Sequence, residues 1–257
     1  MPKYGYLVVE GPHDVEFVYR LLSPFGLKRV QLERDLDSNL LPLVPRVFPH
    51  NGELQKRVPV PLFLQSKSHA IALHSAIGDS RLVDTVQENA NIIDFTTLTG
   101  VGIIFDSDEV SSAGERYIAI KKGLGDKGFK LPSSPGAIET GPPHFGAFVL
   151  PDNVSVGNLE DLLIECADVA YPNLLISAKC HVQAAIDGSR CYPSDGADLS
   201  KRSFYNKAVV GAIASVLRPG KAIQASIQDN KWLKGASMKI ARVKAVQDFL
   251  VSLFELV

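Results

Sequence analysis

The stretch VGIIFDSDEV, residues 101–110, decides how the rest of the chain is read. Five apolar or small residues, Val101 to Phe105, run straight into Asp106, Ser107, Asp108 and Glu109. Carboxylates this close repel one another unless water or a cation screens them. On extended backbone Asp106 and Asp108 project to one side and Ser107 to the other. The run therefore reads as a buried central strand that delivers a D-x-D pair to the edge of a sheet.

Three more runs of strand length accompany it: YGYLVV (4–9), HAIALHS (69–75) and FGAFVL (145–150). A helix is expected after each. Pro12 suits a helix start, Asp14 favours the first turn, and Val15, Val18, Tyr19 and Leu22 recur at helical spacing. Further helices are expected over about 80–91, 113–123 and 157–170. Strands alternating with helices imply an α/β fold, a mostly parallel four-stranded sheet with helices on both faces. Residues 28–68 read as an insertion punctuated by Pro42, Pro45, Pro49, Pro59 and Pro61, with HNGE (50–53) as a hairpin tip. Beyond a loop near 187–200 the chain reads as helical. The expected division is an α/β domain over 1–186 and a helical, basic extension over 187–257.

In open parallel sheets, ligands gather outside the carboxyl ends of the strands. Three of the four expected strands end there on acids: Glu10, the Asp106/Asp108 pair, and Asp152. Glu10 joins the pair if the first and third strands are neighbours. Hard oxygen ligands on a rigid edge suit Mg²⁺ or Mn²⁺. A lone D-x-D also occurs in unrelated enzymes, and the same acids could simply cap helices and fill solvent-facing loops.

VVEGPHD (8–14) followed by IIFDSDE (103–109) resembles the Toprim domain shared by topoisomerases, bacterial primases, overcoming-lysogenization-defect (OLD) nucleases and the ribonuclease that matures small ribosomal RNA. The resemblance spans roughly residues 4–165, interrupted by the insertion. GAFVLPDNVSVGNLEDLL (146–163) is similar to small stand-alone Toprim proteins of unassigned activity, and Glu160 falls where nuclease-type members can carry another acid. The resemblance implies a Rossmann-like sheet and a magnesium-dependent hydrolase of the nuclease type. Glu10 would be the acid/base or metal-linked carboxylate, and Asp106 and Asp108 would hold the cation. Asp14 would either ligate metal or cap its helix, and Asp152 and Glu160 would be further acids. No topoisomerase-like companion domain or primase zinc ribbon accompanies these motifs. No Walker A sequence is present either, so the ATPase of the larger nucleases would be a separate chain or missing.

The net charge of −1 hides a segregation: residues 201–244 carry ten Lys/Arg against one acid, Asp229. Such a stretch can meet phosphates, or can be a set of solvated helix faces. Lys201, Arg202, Lys231, Lys234, Lys239 and Arg242 are the candidate nucleic-acid contacts, with Trp232 either stacking on a base or anchoring a core. His13 could touch a phosphate or sit exposed at a helix start. GLGDKG (123–128) follows an expected helix instead of a strand and fails the context test for dinucleotide binding.

No apolar run approaches the roughly 20 residues a bilayer needs, and MPKYGYLVVEGPHD turns polar too soon for a secretory signal. A cytoplasmic protein is expected, with Cys166, Cys180 and Cys191 as reduced thiols. The expected function is a divalent-metal-dependent nuclease or related phosphotransfer enzyme acting on DNA or RNA. The alternatives are a catalytically silent Toprim-like module that binds nucleic acid or nucleotides, and an unrelated metal-using enzyme on a small phosphorylated substrate.

Overall fold

A computed structural model describes residues 2–47, 60–107, 111–188 and 201–257. Asp108, Glu109 and the HNGE segment lie outside the described residues, as does most of the 187–200 loop. The strands are β1 (Lys3–Val9), β2 (Lys28–Arg29), β3 (Leu62–Gln65), β4 (His69–Ser75), β5 (Gly100–Asp106), β6 (Ile138–Glu139) and β7 (His144–Leu150). They form one mixed sheet in the order β2-β3-β4-β1-β5-β7-β6. Its centre, β4-β1-β5-β7, is parallel throughout, and these are the four runs singled out in the sequence. The expectation of a four-stranded sheet is corrected by three short antiparallel strands, β2 and β3 on one edge and β6 on the other. Two of them are two residues long and the third has four. None is long enough to show the period-2 alternation by which strands are read.

Side chains alternate across the sheet. Leu7, Val9, Ile104, Phe148 and Leu150 enter one core, while Tyr6, Val8, Ile103, Phe105, Ala147 and Val149 enter the other. Helices α2 (Leu82–Ala90) and α3 (Ala113–Gly125) cover the second face. The first face carries α1 (Pro12–Leu22), α4 (Leu159–Ala170), α5 (Pro172–Asp187), α6 (Arg202–Leu217), α7 (Ile223–Asp229) and α8 (Ala241–Phe254). Among the described residues no helix is long and apolar enough to cross a membrane.

Helix α8 explains the glycines inside the strands. Gly5 lies opposite Gly100, and Gly102 opposite Gly146, so all four open one trough on the first face. A Cβ on Gly100 would stand 2.2 Å from the Leu253 carbonyl oxygen, and one on Gly102 would stand 2.5 Å from Leu253 Cδ2. Glycine within a strand weakens it locally but lets another backbone approach closely. The C-terminal helix is thereby seated on the middle of the sheet, in the same core as α1 and α4.

Candidate functional site

Glu10 follows the last residue of β1, and Asp106 ends β5. Because these strands are adjacent and parallel, both acids emerge at one edge. The Asp106 backbone N–H donates to Glu10 Oε1 at 3.0 Å, joining residues 96 apart in sequence. Asp106 Oδ1 in turn accepts from the N–H of Leu159 at 3.1 Å, the first residue of α4. An anion there is favoured by the positive end of the helix dipole. Buried Ser107, on the opposite side of the strand, accepts from the Gly157 N–H at 2.7 Å and donates to the Gly157 carbonyl at 3.0 Å. That serine fastens the loop before α4 to the end of β5 and so fixes where the helix begins.

Two further carboxylates join this edge. Asp14, in the first turn of α1, is buried and accepts from the Gly11 N–H at 2.9 Å. Glu160, in the first turn of α4, is also buried. Burial, then the negative charge of Glu10 and Glu160, raises the Asp14 pKa to about 7 against the pull of the Gly11 hydrogen bond. Burial followed by Asp14, Glu10 and Glu160 pushes Asp106 well above the usual carboxylate range. Burial raises Glu160 too, opposed by Lys207. Burial is the first cause of all three rises, and for Asp14 and Asp106 the charges of neighbouring acids add to it.

Lys207, on α6, is a cation beside this volume that sequence reasoning missed. It acts on Glu160 and, after burial, is the second cause that lowers the His13 pKa. A cleft of about 450 Å³ has Glu10 and Asp106 on one wall and Lys201, Arg202 and Lys207 on the other. Of the other candidate nucleic-acid contacts, none lines it. Arg202 pairs with Asp161 at 2.7 Å. Arg242 is committed to Asp152 at 2.9 Å and Glu165 at 2.8 Å. Lys231, Lys234 and Lys239 are exposed on the segment before α8.

These contacts place two of the candidate residues away from the cleft. Asp152 does not join the acid cluster: it accepts from the backbone N–H groups of Val154 and Ser155 and pairs with Arg242, which together outweigh burial and lower its pKa. Of the two readings of Trp232, the structure has the core anchor. Its ring is fully buried, its Nε1–H donates to Ser226 Oγ at 2.8 Å, and Tyr171 packs edge-on at 5.8 Å.

No local signal marks Lys207, since nothing in its neighbourhood points to acids that lie far off in the chain. Asn158 and Asp161 did carry one. Their N-x-x-D spacing is a capping box, with reciprocal bonds of 3.3 and 2.9 Å that set the start of α4.

Among the described residues, no three or more His, Cys, Asp or Glu side chains are arranged to hold a metal ion. Asp108, the second acid of D-x-D, is not among them. The described acids bring hard oxygen donors to this edge but do not by themselves form a complete ligand set.

Fold and site together define an α/β protein with a carboxylate-rich strand edge facing a basic helix. The family model for a protein of unknown function, DUF3226, matches residues 4–255, and the chain belongs to that family. The chain is also similar in fold to a solved structure described as hypothetical protein PH0156 from Pyrococcus horikoshii OT3. The TM-score is 0.50 and the identity 17%, over 98% of this chain and 95% of that one. No curated protein sequence matches the chain.

Proposed function

We propose that this protein is a divalent-metal-dependent nuclease or related phosphotransfer enzyme of Toprim-like type, acting on DNA or RNA. The observation that carries the reading is the meeting of Glu10 and Asp106 at adjacent strand ends, beside buried Asp14, raised by burial and the charge of Glu10, and buried Glu160, raised by burial. A stable fold has no use for such repulsion, and a cation relieves it. Glu10 and Asp106 would hold Mg²⁺ or Mn²⁺ together with Asp108, with Asp14 and Glu160 beside them. The ion would neutralise developing charge on a phosphodiester and lower the pKa of a bound water. The chain's own part is to fix the carboxylates through the Asp106 and Leu159 N–H groups, and to draw the phosphate backbone to Lys201 and Lys207.

A second reading, a silent nucleic-acid-binding module, draws on one specific fact. Asp106 and Glu10 already have structural hydrogen-bond roles that need no metal. Mn²⁺-dependent cleavage of a single-stranded oligonucleotide, lost in Asp106→Asn, supports the enzyme. If both proteins bind the oligonucleotide equally and neither cleaves it, the module replaces it. Binding that does not weaken as salt rises removes the phosphate backbone from both readings.

A further inference from the structure

We propose that Arg116, tethered by Asp79, is a positioning residue for Glu10; the inference rests on the metal-site reading above for its consequence, but not for its geometry. Arg116 lies in the first turns of α3, whose start is pinned by a reciprocal cap. Ser112 Oγ accepts from the Glu115 N–H at 3.2 Å, and Glu115 Oε2 accepts from the Ser112 N–H at 2.9 Å. A capped first turn resists fraying, so the next residue leaves the helix in a fixed direction. The Arg116 guanidinium reaches Asp79 Oδ2 at 2.8 Å and approaches Glu10 Oε1 to 3.8 Å. It also lies over the Phe105 ring, 5.9 Å from the centroid, which adds a second constraint from β5.

The same Glu10 oxygen that faces Arg116 accepts from the Asp106 N–H at 3.0 Å. One oxygen is thus approached from two sides, by a cation on α3 and by an amide at the end of β5. Both Arg116 and Glu10 expose less than a fifth of their side chains, 17% and 18%. In such partly buried surroundings, charge attraction survives solvent screening better than it does between exposed partners. Asp79, 49% exposed, stands outside the acid cluster and serves to hold the guanidinium.

A positive group beside a metal ligand has opposite effects on binding and on chemistry. It competes with the cation for Glu10, so it weakens metal affinity; it also holds Glu10 in one orientation, so it favours turnover. A merely structural arginine would not separate the two.

The test compares wild type, Arg116→Ala and Asp79→Asn by three measurements: Asp106 amide hydrogen exchange in metal-free protein, Mn²⁺ affinity by electron paramagnetic resonance, and Mn²⁺-dependent oligonucleotide cleavage. Arg116→Ala should speed Asp106 amide exchange about tenfold or more while leaving the Val8 and Ile103 amides unchanged, because only the bond to Glu10 is loosened. It should tighten Mn²⁺ about three- to tenfold and slow cleavage at least about tenfold. Asp79→Asn should shift all three in the same directions by less. Unchanged Asp106 exchange in both variants overturns the inference even if wild type binds Mn²⁺ and cleaves. Faster exchange in a protein that binds no Mn²⁺ upholds the positioning role and overturns the metal-site reading instead. Mn²⁺ affinity and cleavage falling together, with general loss of amide protection, assigns Arg116 to the fold and overturns the inference.

Discussion

Raising the pH from about 5 to about 8 should weaken the metal-free protein, and Asp14 sets the size of the effect. Its carboxyl has a pKa of about 7 in the folded chain against 3.8 when free of the fold, with burial the first cause and Glu10 the second. Below pH 3.8 both states hold the proton and the native state bears no penalty. Between the two values the unfolded chain releases its proton while the folded chain keeps it, so stability falls as pH rises, and the loss is complete above about 7. A tenfold difference in proton affinity between the two states is worth about 1.4 kcal/mol, so the whole span from 3.8 to about 7 amounts to at most about 4 kcal/mol, of which about 3 falls above pH 5. Asp106, raised for the same reasons, adds to the slope. Urea unfolding at successive pH values in chelator reads the effect directly. Asp14→Asn keeps an acceptor for the Gly11 N–H but cannot ionise, so its profile should be distinctly flatter and its stability at pH 8 higher than wild type. Saturating Mn²⁺ at about 100 times its dissociation constant should restore about 2.7 kcal/mol to wild type at pH 8. A flat wild-type profile, or an equal slope in Asp14→Asn, refutes the claim that these buried acids repel one another.

Gly100→Ala should cost about 1–3 kcal/mol in urea unfolding, because its Cβ meets the fixed Leu253 carbonyl. Gly102→Ala, which meets the ends of the Leu253 and Leu7 side chains instead of backbone, should cost less. Trp232→Phe should lose about 1–3 kcal/mol through the broken bond to Ser226 yet leave oligonucleotide affinity unchanged, as a filter-binding titration would show. Lys207→Gln should raise the His13 pKa in an imidazole NMR titration, since Lys207 charge is one cause of its depression. The same variant should lower the slope of log affinity against log salt by about 0.7–0.9 if Lys207 meets one phosphate.

How far the sequence could be read depended on the length over which a signal was spread. The four parallel strands are apolar runs of five to seven residues, and each announced itself. β2, β3 and β6 did not, because an edge strand of two to four residues holds its place through its neighbour's backbone and needs no pattern of its own. Glu10 and Asp106 were legible for a topological reason: strand ends that share an edge bring their next residues together wherever they lie in the chain. Asp152 obeyed the same rule yet escaped the cluster, since the turn after β7 folds back and gives it the Val154 and Ser155 amides, with Arg242 to neutralise it. Trp232 stayed open between base stacking and core packing because the sequence does not show that its lysine neighbours are exposed while its own ring is buried. Lys207 and Arg116 were invisible: each sits on a helix with no local mark, and only the three-dimensional arrangement sets them beside the acids.

The two ends of the sheet treat charge in opposite ways, and that contrast is the strongest reason to look for a ligand at one of them. At the amino-terminal end of the strands, Lys3 pairs with Glu255 at 2.5 Å, His144 lies 3.6 Å from the same carboxylate, and His69 Nε2 meets the Phe254 carbonyl oxygen at 3.1 Å. Charges of both signs meet there, the helix terminus is satisfied, and the Glu255 pKa is lowered by Lys3. At the carboxyl-terminal end, Glu10 has Arg116 and Glu160 has Lys207 nearby, yet the pKa values of Asp14, Asp106 and Glu160 all rise, with burial the first cause. Asparagine or glutamine could accept the same hydrogen bonds from Gly11, Asp106 and Leu159 without the repulsion, so backbone satisfaction does not account for the choice of carboxylates. Ordinary burial does not account for it either, because isolated buried charge is strongly unfavourable unless something compensates it. The same sheet shows at its other end that this fold can balance its charges. The proposed divalent cation would supply positive charge at this edge, where hard carboxylate oxygens are the donors on offer.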